Sequence, residues 1–358
     1  MAEEKNEKRT EINELGEFGL IKRIGHGLRH RHASTVLGIG DDAAAIDVGD
    51  HYQLICTDML NEGIHFDLGY MPLQHLGYKA VAVNISDIAA MNGIPKQITV
   101  NLGLSNRFSV EAVDVLYQGI QYACENFGVD LVGGDTTASR AGLILSVSAV
   151  GEVAKEKLVS RAGAQENNIV CVTGDLGAAY MGLQVLEREK VTYQENPQMQ
   201  PQLEKYDYIV KRQLRPEARM DIIHELGELG VVPTSMIDIS DGLASEIFHI
   251  CEQSKMGMTI YEENLPIDEL TYATAAEFSV DPNTCALNGG EDYELLFTIS
   301  QADFAKVKNH RDIHFIGYVS EQSKGAHLIT RQQQAIPLQA QGWTHFRPGS
   351  DGSGTDKS

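Results

Sequence analysis

Short apolar runs alternate with stretches of helical periodicity along most of the chain. YQLICTD (52–58), QITVNLGL (97–104) and LILSVSAVGEV (143–153) are rich in β-branched and aliphatic residues and predict strands. LQHLGYKAVAVNISDIAAM (73–91) is small and apolar almost all round, which predicts a helix buried on most faces. VEAVDVLYQGIQYACENFG (110–128) is amphipathic and predicts a helix that ends at Gly128. A second set begins near Asn168, with strand NIVCVTG followed by helix AAYMGLQVLEREK. The polar stretch VTYQENPQMQPQ (191–202) reads as a loop or excursion, and helix YDYIVKRQL is stopped by Pro216. Helices ARMDIIHELGELG and SDGLASEIFHICEQS and a strand ELLFTIS complete the pattern. It predicts an α/β or α+β chain with no fixed-period repeat.

The length of 358 residues suggests about two domains, and the boundary is placed near 155–165. The expected layout is a tail over 1–13, an N-terminal domain over 14–155, a C-terminal domain over 156–346 and a tail over 347–358. The charged start MAEEKNEKRT carries no secretory pattern, and no apolar run approaches the roughly 20 residues that span a bilayer. Cys56, Cys124, Cys171, Cys251 and Cys285 form no CxxC and read as reduced core thiols, so the expected compartment is the cytoplasm. A net charge of −21 argues against nucleic acid and anionic membrane as partners, because both need a basic footprint. A polyphosphate ligand would then need divalent cations to attract it.

The acids supply the candidate chemistry. Six sites place them beside Gly, Ser or Thr at the ends of apolar runs. They are Asp41 and Asp42 in GIGDDAA, Asp58 in LICTDML, Asp87 in VNISDIAAM, Asp135 in LVGGDTT, Asp238 and Asp241 in MIDISDGL, and Glu291 and Asp292 in NGGEDYELLF. Any one of them could be a turn former or helix cap. None has a Lys or Arg beside it to neutralise it. Two converging carboxylates ~4 Å apart repel by roughly 4 kcal/mol at an effective dielectric near 20. A converging set therefore calls for cations, and oxygen ligands without His or Cys pairs select Mg²⁺ or Mn²⁺ over zinc. Such clusters usually serve phosphoryl chemistry. No Gly-Lys dipeptide exists, so a P-loop is excluded. TGDLGAAYMGL (173–183) reads either as an anion-binding helix N-terminus or as an ordinary strand–helix turn. Arg161 in LVSRAGA is a phosphate partner or a surface arginine.

Taken in order, GIGDDAA, TDML with NEGIHF, GYKAVAVNISDIAAM, LVGGDTT, LVSRAGA, TGDLGAA, MIDISDGL and GGEDYELLFT resemble the motifs of the thiamine-monophosphate kinases. The resemblance runs from about Gly16 to Phe346. It implies a two-domain AIR-synthase-like fold, with an N-terminal mixed-sheet domain that dimerises and a C-terminal α/β domain. The implied reaction moves the ATP γ-phosphoryl group to thiamine monophosphate, with several Mg²⁺ ions assisting and Mn²⁺ a possible substitute. Carried over by position, the resemblance assigns metal binding to Asp42, Thr57, Asp58, Asp87, Asp135, Asp238 and Asp241. It assigns ATP contacts to Tyr117, Gly134, Asp135, Arg161 and Ser240, and substrate contacts to His65, Glu291 and Trp343. No residue is assigned as acid or base, because the acceptor phosphate is already ionised at neutral pH. Asp41 supports the loop or shares a ligand role. Cys56 stands where relatives commonly carry Ser or Thr, so that position offers its carbonyl or holds one metal more weakly. Residues 1–55 contain no Cys and none follows Cys285, unlike selenophosphate synthetases and the hydrogenase-maturation relative respectively. Aminoimidazole-ribotide synthetase is the nearest rival enzyme, and a nucleotide-sensing dimer without turnover the rival of another class.

Overall fold

A computed structural model describes residues 11–341, and these fall into two units. The first runs to Ala33 and carries helix α1 (Ile12–Gly25), which breaks at Gly16 where φ is +65°. The second begins at Ser34 and holds two mixed sheets. The expected tail over 347–358 and Trp343 lie outside the described residues, as do residues 1–10 of the other tail.

The first sheet is built from β1 (Thr35–Leu37), β2 (Ala44–Asp47), β3 (His51–Asn61), β4 (Ile94–Leu104), β5 (Asp130–Ala138) and β6 (Ile144–Ala154). Its order is β1-β2-β3-β6-β4-β5, and only β4 and β5 run parallel. Side chains alternate across a strand, so one face of this sheet is apolar and covered while the other is open. On β3, Leu54, Cys56 and Leu60 are buried, whereas Ile55, Thr57 and Met59 are exposed. Leu145, Val147, Ala149 and Val153 of β6 line the same covered face.

Helix α2 (Leu73–Ala90) lies over that face, touching β3, β4 and β6, and also reaches the second sheet. Its nearly continuous apolar sequence follows from this position, since it has almost no solvent side. Helix α3 (Val110–Phe127) packs on α2 through Leu116, Ile120 and Ala123. The Ser109 hydroxyl caps its start by accepting from Ala112 N at 3.3 Å, and left-handed Gly128 ends it where expected. The two helices meet at Gly77 and Gly119. A Cβ at Gly119 would fall 1.9 Å from the Gln74 carbonyl, so the backbones touch only because neither residue has a side chain.

The second sheet contains β7 (Ile169–Thr173), β8 (Ser235–Asp238), β9 (Met256–Tyr261), β10 (Leu295–Ile299), β11 (Ile313–Glu321), β12 (Ala326–Ile329) and β13 (Ala335–Pro337). Its order is β13-β12-β9-β11-β7-β10-β8, antiparallel except for β12 on β9. Around it stand α4 (Ala178–Glu195), α5 (Asp207–Leu214), α6 (Met220–Glu228), α7 (Leu243–Ser254), α8 (Glu269–Glu277), α9 (Pro282–Asn288) and α10 (Phe304–Val307). Three details differ from the sequence reading. Helix α4 continues through 191–195, with the Thr192 hydroxyl bonded back to the Arg188 carbonyl, and it stops just before Pro197. Helix α7 starts three residues later than Ser240, because 240–242 form the turn that follows β8. LVGGDTT is part of edge strand β5, whose glycines conceal its strand character.

Candidate active site

The loop before β2, a strand from each sheet and helix α2 deliver carboxylates to one place. Asp42 precedes β2, Asp58 lies on the covered face of β3, Asp87 sits in the last turn of α2, and Asp238 ends β8. Oxygens of Asp42, Asp87 and Asp238 all lie within 4.8 Å of one another. Asp58 faces the same group, and its backbone N donates to Asn84 Oδ1 of α2 at 3.1 Å. Ser86 Oγ donates to Asp238 Oδ2 at 2.6 Å and thereby ties α2 to β8. The other oxygen of Asp42, Oδ2, is buried without a hydrogen-bond partner. Three converging carboxylates, one of them carrying a buried oxygen that no hydrogen bond satisfies, fit a hard divalent cation held by oxygen ligands.

Electrostatics express the same strain. Burial, then the charge of Asp42, raises the Asp58 carboxyl to about 6 and the Asp238 carboxyl to about 7. Burial followed by Asp58, Asp238 and Asp42 pushes Asp87 well above the usual carboxylate range. Asp42 is raised by burial, against the pull of Arg161.

Here the sequence reading of unneutralised acids needs correction, because the cation comes from far along the chain. Arg161 donates from Nε to Asp42 Oδ1 at 3.2 Å and pairs with the same oxygen through Nη2. Asp41 accepts from the Arg161 backbone N at 3.2 Å and from Asp42 N at 3.1 Å. Asp41 thus ties the loop to the arginine. Its side chain is only 2% exposed, and burial followed by Asp42 raises it to about 7.

Glu291, Asp292 and Glu294 are paired as well. The segment 289–294 lies against the turn after β8, with Glu291 N donating to the Ser240 carbonyl at 2.7 Å and Tyr293 N to the Ile239 carbonyl at 2.9 Å. Glu291 and Tyr293 both adopt left-handed backbone, at φ of 60° and 52°. Non-glycine residues in that region are strained and cluster at functional sites. Glu291 Oε2 accepts from Lys79 Nζ at 2.6 Å and from Gln213 Nε2 at 2.8 Å. Glu294 is held by Arg212 at 2.7 Å and Arg219 at 2.6 Å. Asp292 accepts from Gly177 N at 2.9 Å, at the N-terminus of α4. This decides the reading of TGDLGAA: the protein's own carboxylate occupies that helix end. Buried Glu246 of α7 accepts from Asp241 N at 2.9 Å.

The remaining assigned residues divide by place. Thr57 is on the open face of the first sheet, opposite to Asp58, and its hydroxyl donates to the Val147 carbonyl at 3.0 Å. Tyr117, Gly134 and Asp135 share a groove of about 430 Å³ along β5. Gly134 lies at φ 154°, and a Cβ there would fall 1.8 Å from the Val100 carbonyl. Strand β5 is three strands from β3, roughly 14 Å at ~4.8 Å per strand, so this groove and the carboxylate cluster are separate within one chain. His65 Nδ1 accepts from Asn61 N at 3.0 Å and so caps the end of β3. Ser240 and Asp241 lie in the turn after Asp238. Sequence reasoning passed over Lys79, Asn84, Ser86, Glu246 and Tyr293. None of them carried a legible signal, since even Glu246 falls one residue past the capping-box position of a helix that starts after Gly242.

Residues 40–153 match the family described as AIR synthase related protein, N-terminal domain. A thiamine-monophosphate kinase of Bacillus subtilis is 35% identical over 341 residues, covering 93% of this chain and all of that one. One from Aquifex aeolicus is 34% identical, covering 94% of this chain and 99% of its own length. Among solved structures, AaThiL complexed with AMPPCP and TMP superposes with a TM-score of 0.80 at 32% identity, covering 95% of this chain and all of that chain. Hydrogenase maturation protein HypE in complex with ATP shares the fold at a TM-score of 0.64 and 17% identity, covering 90% of this chain and 97% of that one.

Proposed function

Because the chain belongs to the thiamine-monophosphate kinase family, it phosphorylates thiamine monophosphate with ATP, and we propose that the carboxylate cluster is where the transfer is assisted. The observation that carries this reading is the convergence of Asp42, Asp87 and Asp238, of which Asp42 also keeps a buried oxygen without a hydrogen-bond partner. The donor set suits Mg²⁺, with Mn²⁺ as a substitute. Asp42, Asp58, Asp87 and Asp238 would hold the ions, which when bound neutralise phosphate oxygens.

The chain's own residues do the rest by placement. In the transfer, the bond from the γ-phosphorus to the ADP oxygen breaks as a bond to a phosphate oxygen of thiamine monophosphate forms. That acceptor oxygen is ionised at neutral pH, so no side chain has to remove a proton. Ser86 fixes the Asp238 carboxylate and Asn84 fixes the strand that carries Asp58, so the cluster is held by α2 before substrates arrive. Arg161 stands at the cluster's edge and is the guanidinium for a nucleotide phosphate. Glu291 and His65 are the acceptor contacts in this reading, and Ser240 and Asp241 continue the site beyond Asp238. Trp343 keeps its assignment by resemblance alone.

The β5 groove with Tyr117, Gly134 and Asp135 is proposed as the nucleotide's other contact surface. Its separation from the cluster favours a homodimer, in which a second copy brings groove and cluster together. The open sheet face supports the same assembly, since Met59 and Val132 are 54% and 61% exposed. Thr57, on that face, joins the proposed metal ligands only in such an assembly. The two sheets, over 35–154 and 169–337, favour a domain boundary in the segment between them. Among the described residues no helix is long and apolar enough to cross a membrane, and the free cysteines suit a cytoplasmic protein.

The test is mass spectrometry of products after incubation with ATP, Mg²⁺ and a panel of phosphorylated acceptors, with ADP followed in parallel. Thiamine diphosphate and ADP should form together, only with thiamine monophosphate present, and stop after EDTA treatment. Full turnover in metal-free enzyme would refute the cluster's role, and ATP binding without turnover would identify a sensor.

A further inference from the structure

Lys79 is 1% exposed in the middle of α2, where its neighbours are almost all apolar. Burying an ammonium costs several kcal/mol unless it is paired, and an apolar side chain of similar shape would satisfy the helix's packing without that penalty. Its contacts indicate what it does. Nζ donates to Glu291 Oε2 at 2.6 Å and to the Gln213 carbonyl at 3.2 Å. Gln213, itself 3% exposed, donates from Nε2 to the same Oε2 at 2.8 Å. Both donors converge on one carboxylate oxygen, and Oε1 takes neither. The Glu291 side chain remains 28% exposed, so the carboxylate is gripped from behind and open in front. Its backbone is gripped too, through the bond from Glu291 N to the Ser240 carbonyl.

The same helix carries the other end of the arrangement. Asp87 and Ser86 follow Lys79 by eight and seven residues, and Ser86 anchors Asp238. At ~1.5 Å per residue, Lys79 and Asp87 are about 12 Å apart along a single rigid helix. Helix α2 therefore holds the metal-side carboxylates at its C-terminal end and the Glu291 carboxylate about two turns earlier, near its middle.

We propose that Lys79, with Gln213, is a positioning residue for the acceptor: it locks Glu291 at a set distance from the phosphoryl-transfer cluster. This rests on the reading of Glu291 as an acceptor contact. A pinned carboxylate presents one oxygen to the ligand without first having to be ordered, which favours binding. The buried ammonium offsets the carboxylate's charge, so the pair acts toward a ligand as a hydrogen-bond acceptor more than as a counter-charge.

The experiment is steady-state kinetics on three variants of the full chain, Lys79→Met, Gln213→Leu and Glu291→Gln, with melting curves for each. Lys79→Met should raise KM for thiamine monophosphate at least tenfold, and Gln213→Leu about threefold or more. KM for ATP should stay within twofold in both. A purely structural lysine would lower the melting temperature without separating the two constants. Gln213→Leu leaves the ion pair intact, so it decides the matter if Lys79→Met does not fold. If Glu291→Gln raises KM for thiamine monophosphate while Lys79→Met and Gln213→Leu do not, the positioning role is wrong and the reading of Glu291 survives. If Glu291→Gln leaves that constant unchanged, the reading of Glu291 fails and the proposal falls with it.

Discussion

Replacing Asp87 by Asn tests the cluster most directly, because shape is kept and one charge removed. With Asp42, Asp87 and Asp238 within 4.8 Å, each ionised pair would repel by about 3.5 kcal/mol at an effective dielectric near 20. Burial, then the charges of Asp58, Asp238 and Asp42, raises the Asp87 carboxyl well above its ordinary range, which favours its neutral form when no cation is bound. Asparagine resembles that protonated acid, so in EDTA at neutral pH the variant should melt close to wild type, within about 1 kcal/mol. With Mg²⁺ the two should diverge. Wild type gains stability from the ion, about 2.7 kcal/mol at a hundredfold excess over Kd, and the variant should lose most of that gain. Turnover should fall by about 10² to 10⁴, because removing a preorganised charge costs roughly 3–5 kcal/mol in the transition state. The assay is phosphoryl transfer at saturating ATP and Mg²⁺, paired with melting curves in EDTA and in Mg²⁺. Near-wild-type turnover, or an unchanged Mg²⁺-dependent rise in melting temperature, would refute the reasoning. So would outright unfolding in EDTA.

Further outcomes are expected. Metal-free protein should lose stability as pH rises from about 4 to 8. Asp41 and Asp238 are raised from 3.8 to about 7, so the stability they contribute is fully present below 3.8 and lost as pH passes their folded values. Melting temperatures across that range in EDTA should fall, and Mg²⁺ should flatten the trend; a rising curve in EDTA would contradict it. Gly119→Val should destabilise by about 1–3 kcal/mol or more, since its Cβ would meet the Gln74 carbonyl at 1.9 Å, and thermal melts would register it. Light scattering at micromolar concentration should show a dimer for wild type and a monomer for Met59→Arg, whose charge would lie in the open sheet face. A monomeric wild type would refute the dimer.

Local information specified much of this protein. Helix α3 was legible from its periodicity and its glycine stop, β3 and β6 from their aliphatic content, and α2 from an apolar surface that only a buried helix has. Acids at the ends of apolar runs singled out Asp42, Asp58, Asp87 and Asp238, and these are the carboxylates that the fold brings together. What the sequence could not convey is pairing between residues distant along the chain. Arg161 reaches Asp42 across 119 positions and Lys79 reaches Glu291 across 212, so acids that look unneutralised in sequence are partly neutralised in space. Nor could it show that Asp292 fills the α4 N-terminus, because a free helix end and a capped one are spelled alike. Adjacent Thr57 and Asp58 form one motif in the sequence, yet the two-residue period of a strand sends them to opposite faces. Composition and spacing are local quantities and determine which segments form elements and where chemistry is probable. Burial, charge compensation and the direction in which a carboxylate points depend on which elements meet, and those only the tertiary structure decides.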